Sequence, residues 1–105
     1  MFVSAQVADA RAKGAKLLCG GKRLPAPGNW YAPTVFTDVN HTMTLMREES
    51  FGPIIGIQKV RGDDEAVALM NDTRYGLTAG VFTRDELRAR ELLARVNAGS
   101  VYWNC

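Results

Sequence analysis

Ile54-Ile55-Gly56-Ile57-Gln58-Lys59-Val60, then Asp63 to Met70, Leu77-Thr78-Ala79-Gly80-Val81-Phe82, Thr83-Arg84-Asp85-Glu86 running into Val96, and finally Ser100-Val101-Tyr102-Trp103 decide the fold. The first run is almost continuously apolar and short, which predicts a buried strand. Asp63 is placed to cap a helix whose first turn holds Asp64 and Glu65, both favourable against the positive end of the helix dipole. Ala66, Val67 and Met70 give that helix its buried side. Leu77–Phe82 reads as the next strand. Thr83 and Glu86, three apart, fit a capping box. The helix they open carries Ala89, Leu92, Leu93 and Val96 along one stripe, with Gly99 just past its end. Residues 100–103 form the last strand. Strand, helix, strand, helix, strand with short connections predicts an α/β fold, a parallel sheet with covering helices and right-handed crossovers.

Working outward toward the start, Val3, Val7 and Ala10 recur at helical spacing, and Gly14 stands where a helix needs a left-handed stop. A helix is expected over 2–13 and a short strand over 17–19. Gly20, Gly21, Pro25, Pro27, Gly28 and Asn29 mark a loop. Residues 30–39 are rich in aromatic and β-branched types and read as extended, with Pro33 suggesting an edge or a bulge. Residues 40–53 read as irregular.

With 105 residues, the expectation is one domain spanning 1–105. Lys and Arg number 13 against 11 acids, a balance too even to argue for nucleic acid or an anionic membrane. No apolar run approaches the length of a membrane span and no leader opens the chain, so a cytoplasmic location is expected. Cys19 and Cys105 are the two cysteines; without a paired spacing they read as unrelated free thiols.

Several motifs reduce to plain structure. Gly20-Gly21-Lys22-Arg23 lacks the remainder of a phosphate loop, because Lys16 stands where glycine is needed and Arg23 where a hydroxyl is needed. His41 is the single histidine and has no carboxylate at ligand spacing, so no metal site is expected. Arg90 and Arg95 fall four residues after Glu86 and Glu91, the pattern of a solvated helix face.

The informative stretch is Arg47-Glu48-Glu49-Ser50-Phe51-Gly52-Pro53. In an extended loop, residues two apart point to one side. Glu49 could therefore accept hydrogen bonds from sugar hydroxyls while Phe51 packs against a flat ring. A solvated acid and a core phenylalanine are the plainer alternative.

Glu48-Glu49-Ser50-Phe51-Gly52-Pro53 resembles the Glu-Glu-x-Phe-Gly-Pro signature of NAD(P)-dependent aldehyde dehydrogenases. Residues 71–83, with Asn71, Tyr75-Gly76-Leu77 and Val81-Phe82-Thr83, resemble that family's Asn-x-x-x-Tyr-Gly-Leu-x-x-x-Val-Phe-Thr run. Ala98-Gly99-Ser100-Val101-Tyr102-Trp103-Asn104 is similar to its Ala-Gly-x-Val-x-x-Asn strand. Gly14-Ala15-Lys16, Gly20-Gly21 and Ala32-Pro33-Thr34-Val35 follow the family in order and rough spacing. The resemblance covers essentially the whole chain and implies the later part of a catalytic domain.

The resemblance further implies that Glu49 holds the nicotinamide ribose of NAD or NADP and that Phe51 packs near the nicotinamide. In the implied reaction a thiolate attacks a small aldehyde, hydride passes to nicotinamide, and water hydrolyses the thioester. The family's Gly-Gln-x-Cys nucleophile and its Glu-Leu-Gly-Gly base have no match in these residues. No catalytic residue is therefore assigned. The chain is expected to be inactive alone, to bind the dinucleotide weakly, and to need the remainder of the parent enzyme as partner. A homo-oligomer is expected. The alternative is a stand-alone α/β module that associates with itself through an uncovered sheet.

Overall fold

A computed structural model describes residues 2–105. The chain divides into two compact units, residues 1–59 and 60–105, where length alone suggested one domain.

The first unit opens with α1 (Phe2–Ala12). Its stripe of Val3, Val7 and Ala10 is buried as the spacing predicts. Gly14 ends the helix at φ +92°, where its N–H reaches Arg11 O and the Ala15 N–H reaches Ala10 O. This double bond pattern satisfies the last carbonyls of the helix, and only glycine takes that backbone angle without steric cost.

Strands β1 (Lys16–Cys19) and β2 (Thr34–Thr37) pair antiparallel, with an irregularity between Leu17 and Cys19. Strand β3 (Ile54–Ile57) joins β2 in parallel, so the order is β1-β2-β3. Strand β2 is thus central, which corrects the edge expected from Pro33. Proline is tolerated because it precedes the strand; the ladder begins at Thr34, whose N–H bonds Pro53 O. Residues 40–53, expected to be irregular, contain the short α2 (Thr44–Arg47). Phe36 and Met43 are fully buried and pack with Val3, Val7, Ala10, Val39 and Leu45 into the core of this unit.

The second unit contains α3 (Asp63–Met70), β4 (Thr78–Val81), α4 (Glu86–Arg95) and β5 (Ser100–Trp103). Strands β4 and β5 pair in parallel, the β–α–β arrangement that the sequence predicts. One continuous parallel sheet is replaced by two smaller sheets, one of them mixed. The class remains α/β.

Both predicted caps need correction. Gly62, not Asp63, occupies the cap of α3 and makes no side-chain bond there. Asp63 lies inside the first turn, and its carboxylate receives two hydrogen bonds from the Arg88 guanidinium. At α4, the cap is Asp85, whose Oδ1 accepts from Arg88 N. Glu86 instead pairs with Arg90, and Arg95 reaches Asp64 on α3. A carboxylate two residues closer to the helix displaced the expected threonine cap, because aspartate serves that position at least as well.

Candidate functional site

The loop that carries Glu49 and Phe51 follows α2 and ends at β3, and α1 lies behind it. Asp9 of α1 accepts hydrogen bonds from the backbone N–H and the hydroxyl of Thr44, at 2.8 and 3.3 Å, and so satisfies a donor at the start of α2. Lys13 pairs with Asp9 at 2.8 Å and donates to Thr42 O. The bond from Lys13, then the Thr44 N–H, holds the Asp9 carboxyl below its usual range. Further along the loop, the buried Gln6 donates from Nε2 to Glu49 O at 3.4 Å. A Cβ on Gly52 would lie 2.6 Å from Val3 Cγ2, so the chain passes α1 here at glycine-only distance.

Beyond Glu49 the loop does not stay extended. Phe51 has φ +32°, in the left-handed region, which costs an aromatic residue roughly 1–3 kcal/mol and persists only where the surroundings impose it. Phe51 is 94% exposed. The alternation expected of an extended loop therefore breaks at Phe51, and the two side chains are not set by a simple every-second-residue rule. Phe51 lines a concavity of about 310 Å³ with Phe2, Val3, Asn29, Tyr31, Ser50 and Pro53. Glu49 is exposed; its backbone carbonyl turns to Gln6, leaving the carboxylate outside the lining of that concavity. Within this unit Phe51 is not part of the core.

Gln6 is the residue that sequence reasoning missed. A polar side chain between Val3 and Val7 on an apolar stripe was the available signal, because burial of an amide demands a partner.

In the second unit, the residues of the Asn71–Thr83 run have structural duties. Asn71 donates Nδ2 to Arg95 O at 2.9 Å and accepts from Asn97 N at 2.7 Å, which closes the turn from α4 into β5. A Cβ on Gly76 would lie 2.6 Å from Asn97 O, and Gly99 N bonds Gly76 O. Asn104, at φ +53°, accepts from Thr83 N and donates to Thr83 O, tying the end of β5 to the end of β4. A second concavity of about 370 Å³ lies between Tyr75–Ala79 and Val96–Ala98.

The remaining chemistry is sparse. Cys19 and Cys105 are both exposed free thiols, and Cys19 Sγ contacts Pro33 O at 3.6 Å. Among the described residues no group of His, Cys, Asp and Glu has the arrangement of a metal site. No described helix is long and apolar enough to cross a membrane.

Comparison with known proteins matches this arrangement to one family. A profile described as the aldehyde dehydrogenase family matches residues 2–105. The betaine aldehyde dehydrogenase of Cereibacter sphaeroides is 45% identical over 102 residues, covering 97% of this chain and 21% of the relative. The succinate-semialdehyde dehydrogenase [NADP(+)] 1 of Mycobacterium tuberculosis is also 45% identical, over 97% of this chain and 22% of the relative. Among solved structures, a putative aldehyde dehydrogenase of Anabaena variabilis superposes with a TM-score of 0.93 at 43% identity, over 98% of this chain and 22% of that one. Aldehyde dehydrogenase C of Pseudomonas syringae, solved with NAD+ and octanal, superposes with a TM-score of 0.91 at 41% identity, over 99% and 22%. The chain spans about a fifth of the length of these relatives. With a matching profile from end to end and a shared backbone, the chain belongs to the aldehyde dehydrogenase family.

Proposed function

We propose that these residues are the cofactor-positioning piece of an NAD(P)-dependent aldehyde dehydrogenase catalytic domain, with the Glu49–Phe51 loop as its working part. The observation that carries the reading is Phe51. An aromatic ring held out of the core at a left-handed backbone angle, on the wall of a concavity, is available to a flat partner. An exposed carboxylate two residues earlier, at Glu49, suits a pair of ribose hydroxyls, since an ionised carboxylate only accepts hydrogen bonds. These groups fit the nicotinamide riboside half of the dinucleotide.

When bound, NAD or NADP supplies a hydride acceptor. The chain's own contribution is orientation: Glu49 fixes the sugar, Phe51 limits the tilt of the ring, and Gly52-Pro53 carries the loop into β3. A misplacement of about 1 Å at a reacting centre can reduce rate a hundredfold, so such orientation is a large share of what a scaffold provides. The nucleophilic thiolate and the base that activates water belong to other parts of the parent enzyme. The 105 residues alone do not oxidise aldehydes and bind the dinucleotide weakly. The parent's substrate is a small aldehyde, which is converted to a carboxylic acid.

The exposed apolar residues Ile55, Ile57, Leu77, Phe82 and Tyr102 support a larger body, because apolar strands uncovered to this extent mark surfaces that another part covers. The same exposure favours a second reading, a self-associating module, for which a concentration-dependent dimer by light scattering and no affinity for NAD would be the signature. Purified chain incubated with NAD or NADP and a panel of aldehydes should produce no absorbance from reduced cofactor. Clear turnover would overturn the assignment of the nucleophile and base to other parts.

A further inference from the structure

We infer that α1 is the positioning element of the cofactor loop, and that Gln6 sets the backbone of Glu49. The inference rests on the proposed role of Glu49 and Phe51, and it concerns what holds them. Val3, Gln6, Asp9 and Lys13 are spaced by three or four residues and so share one side of the helix and its C-terminal turn. Each meets a successive point on one segment, running opposite to the helix. Lys13 meets Thr42 O, Asp9 meets the Thr44 N–H, Gln6 meets Glu49 O, and Val3 occupies the space where a Cβ on Gly52 would fall. The segment from Thr42 to Gly52 is thus read off α1 like a template, with Glu49 as one of its last two contacts and Phe51 lying between them.

Gln6 is the informative member. It is 1% exposed, yet only its Nε2 is used; Oε1 is buried with no hydrogen-bond partner among the described residues. An amide kept in a core with one end unsatisfied is a poor choice for stability alone, since a buried unpaired acceptor is destabilising. Leucine of similar volume would fill the site without that penalty. What leucine cannot do is donate to Glu49 O. A glutamine here therefore serves the loop at the expense of the core.

The experiment compares the full chain with Gln6→Leu and Asp9→Asn, using amide hydrogen exchange, the carbonyl ¹³C resonance of Glu49 and thermal unfolding, all without cofactor. For Gln6→Leu the expected result is a melting temperature unchanged or raised, an upfield move of the Glu49 carbonyl, and exchange in residues 50–54 faster by about twofold to tenfold, the range for loss of one ordinary hydrogen bond. Val7 and Ala10 in α1 should keep their protection. Asp9→Asn retains an oxygen acceptor for Thr44 but loses the charge that pairs with Lys13. It should loosen residues 42–46 and leave the Glu49 carbonyl resonance in place. If Gln6→Leu lowers the melting temperature and leaves both the Glu49 resonance and loop exchange unchanged, glutamine is a core residue and the inference fails. Uniform loss of protection across α1 and the loop in Gln6→Leu also overturns it. Because no cofactor is present, these failures are separate from failure of the nicotinamide reading, which would show as a Glu49 substitution without effect on dinucleotide affinity.

Discussion

Substituting alanine for Gly52 should invert its usual effect, depending on whether Val3 is present. Gly52 is not among the glycines with positive φ, so its backbone suits alanine. Reduced freedom of the unfolded chain would then stabilise Gly52→Ala by about 0.4–1 kcal/mol. The new methyl, however, would stand 2.6 Å from Val3 Cγ2, well inside van der Waals contact. Val3 is buried, and a β-branched side chain in a helix has one favoured rotamer, so it cannot turn aside. Overpacking of this kind costs about 1–3 kcal/mol, and the clash outweighs the entropic gain. In a Val3→Ala background, which itself costs roughly 1.5 kcal/mol for two lost methyl groups, the obstacle is gone and Gly52→Ala should become neutral or stabilising. The coupling between the two sites is then about 1 kcal/mol or more in the direction of rescue. Native-state hydrogen exchange read at Val7 and Phe36, in the core of the same unit, reports this energy without requiring the two units to unfold together. Additive effects would refute the close approach of the loop to α1.

Other perturbations separate the actual caps and ties from the expected ones. Asp85→Ala should cost about 1 kcal/mol in urea unfolding of the second unit, whereas Glu86→Ala, which loses only an exposed pair with Arg90, should cost a few tenths; equal costs would restore the capping box. Asn71→Ala removes both bonds that close the α4–β5 turn and should lower stability by about 1–2 kcal/mol, with faster exchange at Asn97 as the local sign. Asp63 is held below its ordinary value of 3.8 chiefly by the Arg88 hydrogen bonds. Its folded pKa being the lower one, the stabilisation is complete above about pH 4 and is lost as pH falls through the folded value. Asp63→Asn should flatten that part of a stability–pH profile, and an unchanged slope would show that the pair contributes nothing.

The sequence conveyed the second unit well because its signals are local. Alternating apolar runs, a glycine after α4 and a parallel β–α–β connection need no knowledge of distant residues. The apolar stripe of α1 and its Gly14 stop were equally legible. What could not be read were choices decided by competition or by tertiary contact. Thr83 and Asp85 were both able to cap α4, and only the path of the chain selects Asp85. Pro33 was read as marking an edge or a bulge; β2 is central, and the proline is accommodated because the ladder starts one residue later.

At the site, the identity of Glu49 and Phe51 came from the motif, but their setting did not. The hold of α1 on Glu49 joins residues 43 positions apart in the chain, and Phe51 takes a left-handed angle that its residue type does not favour. No local pattern encodes them. Gln6 illustrates the limit: its position in an apolar stripe hinted at a buried partner, and nothing in the sequence named which carbonyl it would meet.

The central claim, that Glu49 and Phe51 face the nicotinamide riboside in a complete domain, is tested most directly by exchange into a relative. The matching segment of the Cereibacter betaine aldehyde dehydrogenase, 45% identical, can be replaced by this chain and the hybrid compared with its Glu49→Gln form in dinucleotide binding and steady-state kinetics. The account predicts an active hybrid in which Glu49→Gln weakens dinucleotide binding or slows hydride transfer by about tenfold, the scale of one charge-assisted hydrogen bond. An active hybrid whose dinucleotide affinity and rate are both indifferent to Glu49→Gln would contradict it.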